Sequence, residues 1–260
     1  MELKTVATPH VPVRYFEGGS GRALVFLHGA GGLLPQDPFL AALARKYHVY
    51  APLLPGYGDS EDCGELRDML DFTLHSWDVV EALGLDDPTL VGHSMGGMIA
   101  AEMAAVAPND VSRLALLAPA GLWLDQFPIP DIFSMLPFQL AAFLFYDEKL
   151  GAQLMGAGGT MNFGDPEWLK MFLVRNARQL GTAGKLLFPI PDRGLGGRLY
   201  RIKAKTVIVW GGNDKLIPPA YAEHFRTGIA GAELVVIPEA AHMVLLEQTA
   251  QVIAALDRIA

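Results

Sequence analysis

The sequence reads as an α/β protein: an eight-stranded, mostly parallel sheet flanked by helices, interrupted late by a helical insertion. Three observations predict this. Short apolar runs alternate with segments of helical spacing from residue 23 to about 118, and again from 204 onward. Two extended runs with turn residues between them precede that alternation, so the sheet begins antiparallel. Between Pro119 and Lys203 the alternation is lost, and the chain becomes rich in aromatic residues and glycine. The division that follows is residues 1–119 with 204–260 as the core domain, and 120–203 as a helical cap over one end of the sheet.

The elements follow in order. Leu3 to Ala7 and Val11 to Phe16 are the extended runs, broken at Pro9-His10 and ended by Gly18-Gly19-Ser20-Gly21. Ala23-Leu24-Val25-Phe26-Leu27 is continuous and apolar, as a strand buried on both faces requires. Pro38 to Tyr47 places Phe39, Leu40, Leu43 and Tyr47 on one helical face. Val49 to Ala51 is the next strand, and Glu65 to Leu83 a helix ended by Gly84. Thr89 to Val91 and Leu114 to Ala118 are strands, with a helix from Met98 between them. After the insertion come a strand at Thr206 to Trp210, a helix at Pro219 to Phe225 and a strand at Leu234 to Ile237. A final helix covers about Leu245 to Ile259.

Composition narrows the function classes. A chain of 260 residues with 51% hydrophobic and 18% charged content is expected to bury a large core. A net charge of -8 without a Lys/Arg cluster argues against nucleic-acid binding. Cys63 is the one cysteine, so no internal disulfide forms. The N-terminus lacks the apolar stretch of a signal peptide, and no apolar run reaches membrane-spanning length. The default expectation is a cytoplasmic protein without stable membrane insertion.

The chemistry centres on Gly92-His93-Ser94-Met95-Gly96, followed by Gly97. It sets a serine at a sharp strand-to-helix turn with small neighbours, where strand and helix must approach closely. The turn holds the hydroxyl out at the sheet end, above a helix N-terminus whose free N–H groups favour a developing oxyanion. A serine hydroxyl also needs a base, and the base needs a carboxylate. Gly211-Gly212-Asn213-Asp214 and Ala240-Ala241-His242 each follow a strand, which brings Asp214 and His242 to the same edge as Ser94.

Together these motifs resemble the α/β-hydrolase family over nearly the whole chain. The matching stretches are His28-Gly29-Ala30-Gly31-Gly32, Pro55-Gly56-Tyr57-Gly58-Asp59-Ser60, the serine turn, Gly212-Asn213-Asp214 and His242, after the third, fourth, fifth, seventh and eighth strands. The resemblance implies Ser94 as nucleophile, Asp214 as acid and His242 as base, with the backbone N–H groups of Ala30 and Met95 as oxyanion hole. His28 and His93 are read as loop supports, and His10, His48, His75 and His224 as surface or structural residues. No His/Cys/carboxylate group has metal-ligand spacing, and no phosphate or dinucleotide loop stands in the right context, so neither metal nor cofactor is expected.

The expected reaction is hydrolysis of a carboxylic ester with apolar substituents, a small-molecule substrate selected under the cap by residues such as Trp123, Phe143 and Trp168. The alternative is hydrolysis of a carbon–carbon bond in ring-cleavage products. Relatives of that kind carry a cap arginine, matched here by Arg175 or Arg178, but also a tryptophan soon after the histidine, where this chain has Met243-Val244-Leu245. A slow-turnover ligand receptor retaining the three residues is a third reading.

Overall fold

In the computed structural model the described residues are 1–33, 36–135, 137–156, 164–188 and 193–260. The apolar runs form one eight-stranded sheet. Its strands are β1 (Glu2–Val6), β2 (Val13–Gly18), β3 (Ala23–Leu27), β4 (His48–Pro52), β5 (Thr89–His93), β6 (Arg113–Leu117), β7 (Lys205–Gly211) and β8 (Glu233–Ile237). The spatial order is β1-β2-β4-β3-β5-β6-β7-β8. β1 pairs antiparallel with β2, and β2 with β4; every later pairing is parallel. The C-terminal ends of β3 through β8 therefore lie along one edge.

Helices cover both faces. α1 (Pro38–Leu43) and the late helices α8 (Val244–Glu247) and α9 (Thr249–Leu256) pack on one side, where Phe26, Phe39, Val91, Val207 and Val252 are buried together. α2 (Met69–Ala82), α3 (Met95–Val106) and α7 (Ala220–Gly228) cover the other, around Val25, Leu90, Ile99, Ile208 and Trp210. β5 is buried along its whole length, as a central strand covered by helices on both faces must be.

Helix ends differ from expectation where capping chemistry decides. α2 starts at Met69 rather than Glu65, because the Asp68 carboxylate accepts from the Leu70 and Asp71 N–H groups. Asp37 caps α1 in the same way, and α1 stops at Leu43, where the chain tightens into turns leading to β4. The expected single C-terminal helix is two, parted at Gln248, with a last 3-10 turn at Asp257–Ile259.

Between β6 and β7 lie α4 (Pro137–Leu144), α5 (Glu148–Gly156) and the long α6 (Pro166–Leu187). Two ties bolt α6 to the loop after β4. Arg178 donates to the Asp62 carboxylate at 2.8 Å, to the Gly58 carbonyl at 2.9 Å and to the Ser60 carbonyl. Lys185 Nζ donates to the carbonyls of Cys63 and Leu66 at 3.1 and 2.8 Å. Of the expected glycine run Gly156-Ala157-Gly158-Gly159, the last three lie outside the described residues.

Candidate active site

Ser94 sits between β5 and α3 with φ 54° and ψ −118°, left-handed backbone that a non-glycine residue adopts at a cost of about 1–3 kcal/mol. Three hydrogen bonds hold it there. The Ser94 N–H donates to the Leu117 carbonyl, and the Met98 and Ala120 N–H groups donate to the Ser94 carbonyl, all at 3.0 Å. The flanking glycines are sterically required. A Cβ on Gly92 would stand 2.3 Å from the Gly96 carbonyl oxygen, and one on Gly96 would stand 2.1 Å from that of Leu27. α3 thus packs directly against β3 and β5, with the Ser94 side chain at the strand end.

His242, on the loop after β8, stands beside it. Its Nε2 lies 2.8 Å from Ser94 Oγ, and its Nδ1 lies 2.8 Å from Asp214 Oδ2. A carboxylate only accepts, so Nδ1 carries the proton and Nε2 is left to accept from the serine hydroxyl. The other Asp214 oxygen accepts the backbone N–H groups of Leu216 and Ile217 at 2.9 and 2.8 Å, which fixes the carboxylate. All three side chains are buried, Ser94 at 7%, Asp214 at 4% and His242 at 2% exposure, so little water competes for these bonds.

Two further histidines support this arrangement. His93 is fully enclosed and lies 5.0 Å from the His242 ring; burial, with the neighbouring ring, drives its pKa down to about 3. It is therefore a neutral imidazole whose Nε2–H donates to the His242 carbonyl at 2.9 Å. His28 is likewise held neutral by burial, with a pKa of about 4. Its Nδ1–H donates to the Gly29 carbonyl at 2.8 Å, and its Nε2 accepts the Leu54 N–H at 3.2 Å. The two rings fix the loops around the serine, as the sequence suggests, and neither approaches Ser94 Oγ as His242 does.

The loop after β3 lies against the serine. A Cβ on Gly29 would be 3.0 Å from His93 Nδ1 and 3.3 Å from Ser94 Cβ, tighter than an ordinary contact, so glycine suits the close approach of this loop to the serine. Met95 is the first residue of α3, and its N–H has no acceptor within the helix.

Above Ser94 and His242 lies a cavity of ≈ 520 Å³. Its floor includes His28, Ala30, Ser94 and His242. Its walls are mostly apolar: Leu122, Ile132, Leu140, Leu144, Leu216 and Met243. α6 contributes Phe172, Arg175, Asn176 and Gln179, a spacing that marks one helical face.

That face decides which expected cap residues reach the cavity. Arg175 does. Arg178 does not, since it points away into the Asp62, Gly58 and Ser60 contacts. Trp168 lies one turn too early on α6 and stacks on Phe172, ring centroids 5.2 Å apart, leaving Phe172 to line the wall. Phe143 is half-buried on α4, whose Leu140 and Leu144 face inward instead. Trp123 borders a separate hollow with Leu199, His224 and Thr227, and its indole donates to Asp125 at 2.8 Å.

Two carboxylate ties escape the sequence reading, the first of them beside the histidine. Glu247 accepts the Ala241 N–H at 2.7 Å with one oxygen, and the Tyr146 and Asp147 N–H groups at 2.7 and 3.0 Å with the other. It thereby joins the histidine loop to the α4–α5 connection, and a Met243 N–H bond to the Leu144 carbonyl at 2.9 Å runs beside it. Glu102, buried on α3, holds Arg198 through two hydrogen bonds, Oε2 at 2.8 Å from Nε. The Glu five residues after the histidine was the available signal for the first; nothing in the spacing of Glu102 and Arg198 announces the second.

Residues 24–256 match the sequence profile described as the alpha/beta hydrolase family. A dihydrolipoyllysine-residue acetyltransferase component of the acetoin cleaving system from Pseudomonas putida is 32% identical over 92% of this chain, which spans 64% of that relative's length. A 2-hydroxy-6-oxo-6-phenylhexa-2,4-dienoate hydrolase from Comamonas testosteroni is 29% identical over 88% of this chain and 84% of its own. Among solved structures, a membrane phospholipase A superposes with TM-score 0.76 at 25% identity, over 99% of this chain and 86% of that one.

Proposed function

The chain belongs to the α/β-hydrolase family, and from that premise we propose that it is a serine hydrolase acting on carboxylic esters with apolar substituents. The observation that carries the proposal is the hydrogen-bonded series Ser94–His242–Asp214, buried at the floor of an apolar cavity.

In this reading Ser94 Oγ attacks the substrate carbonyl carbon while His242 Nε2 takes its proton. Asp214 holds the histidine in the required tautomer and stabilises its charged form. The N–H groups of Met95 and Ala30 receive the oxyanion of the tetrahedral intermediate. Its collapse breaks the carbon–oxygen bond; the alcohol leaves with the proton from His242, and the acyl group stays on Ser94. Water, deprotonated by His242, then attacks the acyl carbon and frees the acid. Residues 120–203 serve as the cap, and the face of α6 carrying Phe172 and Arg175 meets the substrate.

One observation favours a second reading, carbon–carbon bond hydrolysis. Arg175 reaches the cavity, where a cation would bind a substrate carboxylate by a charge-assisted bond, and a relative 29% identical is named as a dienoate hydrolase. Two measurements test and separate the readings. A fluorophosphonate probe is expected to label the wild type and leave Ser94→Ala unlabelled with its fold intact; labelling of the variant would overturn the nucleophile. Assayed side by side, p-nitrophenyl esters of short or medium chain are expected to turn over faster than a ring-cleavage dienoate. Fast dienoate turnover with negligible esterase activity, lost in Arg175→Ala, would establish the second reading instead.

A further inference from the structure

Away from the cavity, the turn between β1 and β2 meets the outer part of α2, and the contact is polar. His10 lies on the turn; His75 and Asp78 are three apart on α2, on one face of the helix. The His75 Nδ1 atom is 4.0 Å from Asp78 Oδ2, and His10 Nε2 is 3.8 Å from the same oxygen. One donor atom from each residue lies within 4.8 Å of the other two. No spacing in the sequence announces this group, because residue 10 is joined to the pair only by the fold.

Two features make it more than a chance meeting of side chains. His75 is 0% exposed, yet neither ring nitrogen has a hydrogen-bond partner among the described residues. A buried polar group in that condition calls for an explanation, an ion among them. His10 is also oriented as metal-bound histidines are. Its Nδ1 lies 3.2 Å from the Glu65 carboxylate, which only accepts, so Nδ1 carries the proton. The Nε2 lone pair is thereby turned toward Asp78 and His75, with the second carboxylate fixing the tautomer from outside.

We propose that His10, His75 and Asp78 bind a divalent transition-metal ion of the zinc class, clipping the β1–β2 turn to α2. Two imidazoles and one carboxylate suit zinc, cobalt or nickel, whereas magnesium and calcium take oxygen ligands. An ion with bonds of about 2.0–2.2 Å draws its ligands to roughly 3.3 Å from one another, so the 3.8 and 4.0 Å separations close by about 0.5–0.7 Å and the third, within 4.8 Å, by at most about 1.5 Å. Side-chain rotation supplies that movement: His10 is 33% exposed on a turn and Asp78 27% exposed on α2, while the enclosed His75 stays in place. The exposed side leaves a coordination position for water. The clip is independent of the serine chemistry and lies on the helix that packs behind α3.

The test is Zn²⁺ retention by the untagged full chain in equilibrium dialysis, with Mg²⁺ as the control cation, beside thermal unfolding in the same buffers. The wild type is expected to retain one Zn²⁺ per chain and no Mg²⁺. Its Tm should rise by about 5 °C when free Zn²⁺ is a hundredfold above Kd. His10→Ala and Asp78→Asn, both on partly exposed side chains, should lose the retained ion and the Tm rise while ester turnover without added metal stays within about twofold of wild type. Retention of less than about half an equivalent by the wild type, or equal retention by both variants, would overturn the proposal. Should either variant unfold, His10→Gln, which keeps a polar side chain on the turn, replaces it in the same comparison.

Discussion

The floor and the roof of the cavity are built by different means. The floor is made of strand ends: residues 28–32 after β3, Ser94 after β5, Asp214 after β7 and His242 after β8. Main-chain hydrogen bonds and glycines that tolerate no Cβ hold it, so each side chain has little freedom. The roof is made of helices between β6 and β7, joined to the core by the side chains of Arg178, Lys185 and Glu247. A backbone-held floor fixes one chemistry. A roof held by a few side chains offers its inner face to variation, because changing Phe172 or Arg175 leaves every tie in place. In the proposed reading, function divides accordingly: bond breaking belongs below, and selection among substrates above.

The largest effect should come from breaking the floor. Asp214→Asn removes the acceptor that fixes His242 and is expected to lower kcat by about 10³–10⁴-fold with KM little changed. Activity close to wild type would place the acid elsewhere. Steady-state kinetics on one p-nitrophenyl ester decides it.

The floor also carries a pH signature of stability. The folded pKa values of His28 and His93, about 4 and 3, lie below the ordinary value of 6.5. Between those limits the unfolded chain binds protons that the folded chain refuses. Their contribution to stability is complete above about pH 6.5 and is lost as the pH falls toward 4. At the steepest, two such groups remove about 3 kcal/mol per pH unit. Urea unfolding at pH 7, 6 and 5 measures the slope; replacing His28 by Gln should flatten it.

A smaller effect should follow from cutting the join between floor and roof. Glu247→Ala leaves three N–H groups without their acceptor and frees the loop bearing His242. A loss of stability of about 1–3 kcal/mol and a fall in kcat of roughly tenfold are expected. Glu247→Gln, which keeps one acceptor oxygen, should recover part of both. If Glu247→Ala changed stability alone, Glu247 would be a tie without influence on the histidine.

The smallest effects should lie in the roof, and there the two arginines part. Arg178→Ala should lower stability by about 1 kcal/mol, since it loses bonds to the loop after β4, and leave selectivity unchanged. Arg175→Ala should leave stability unchanged within about 0.5 kcal/mol. It should alter the ratio of turnover on neutral and carboxylate-bearing esters. Reversal of the two outcomes would mean that the α6 face has been misjudged.

Much of the floor was legible in the amino-acid sequence by itself. A buried parallel strand announces itself as a short apolar run, and the residues just after it must gather at one edge. Glycines around Ser94 and the turns at Asp214 and His242 could therefore be brought together without coordinates, and the structure sets them 2.8 Å apart in series. The roof was legible only as helical and aromatic. Whether Arg175 or Arg178 faces the cavity depends on the rotation of α6 about its own axis, which its packing on the loop after β4 decides; composition favoured Trp123, which borders another hollow, and Phe143 and Trp168, which their helix faces turn elsewhere. Glu247 and the group at His10, His75 and Asp78 were out of reach for a related reason. Their partners are backbone N–H groups or residues tens of positions away, and side-chain identity carries no record of which distant surface the fold will bring against it.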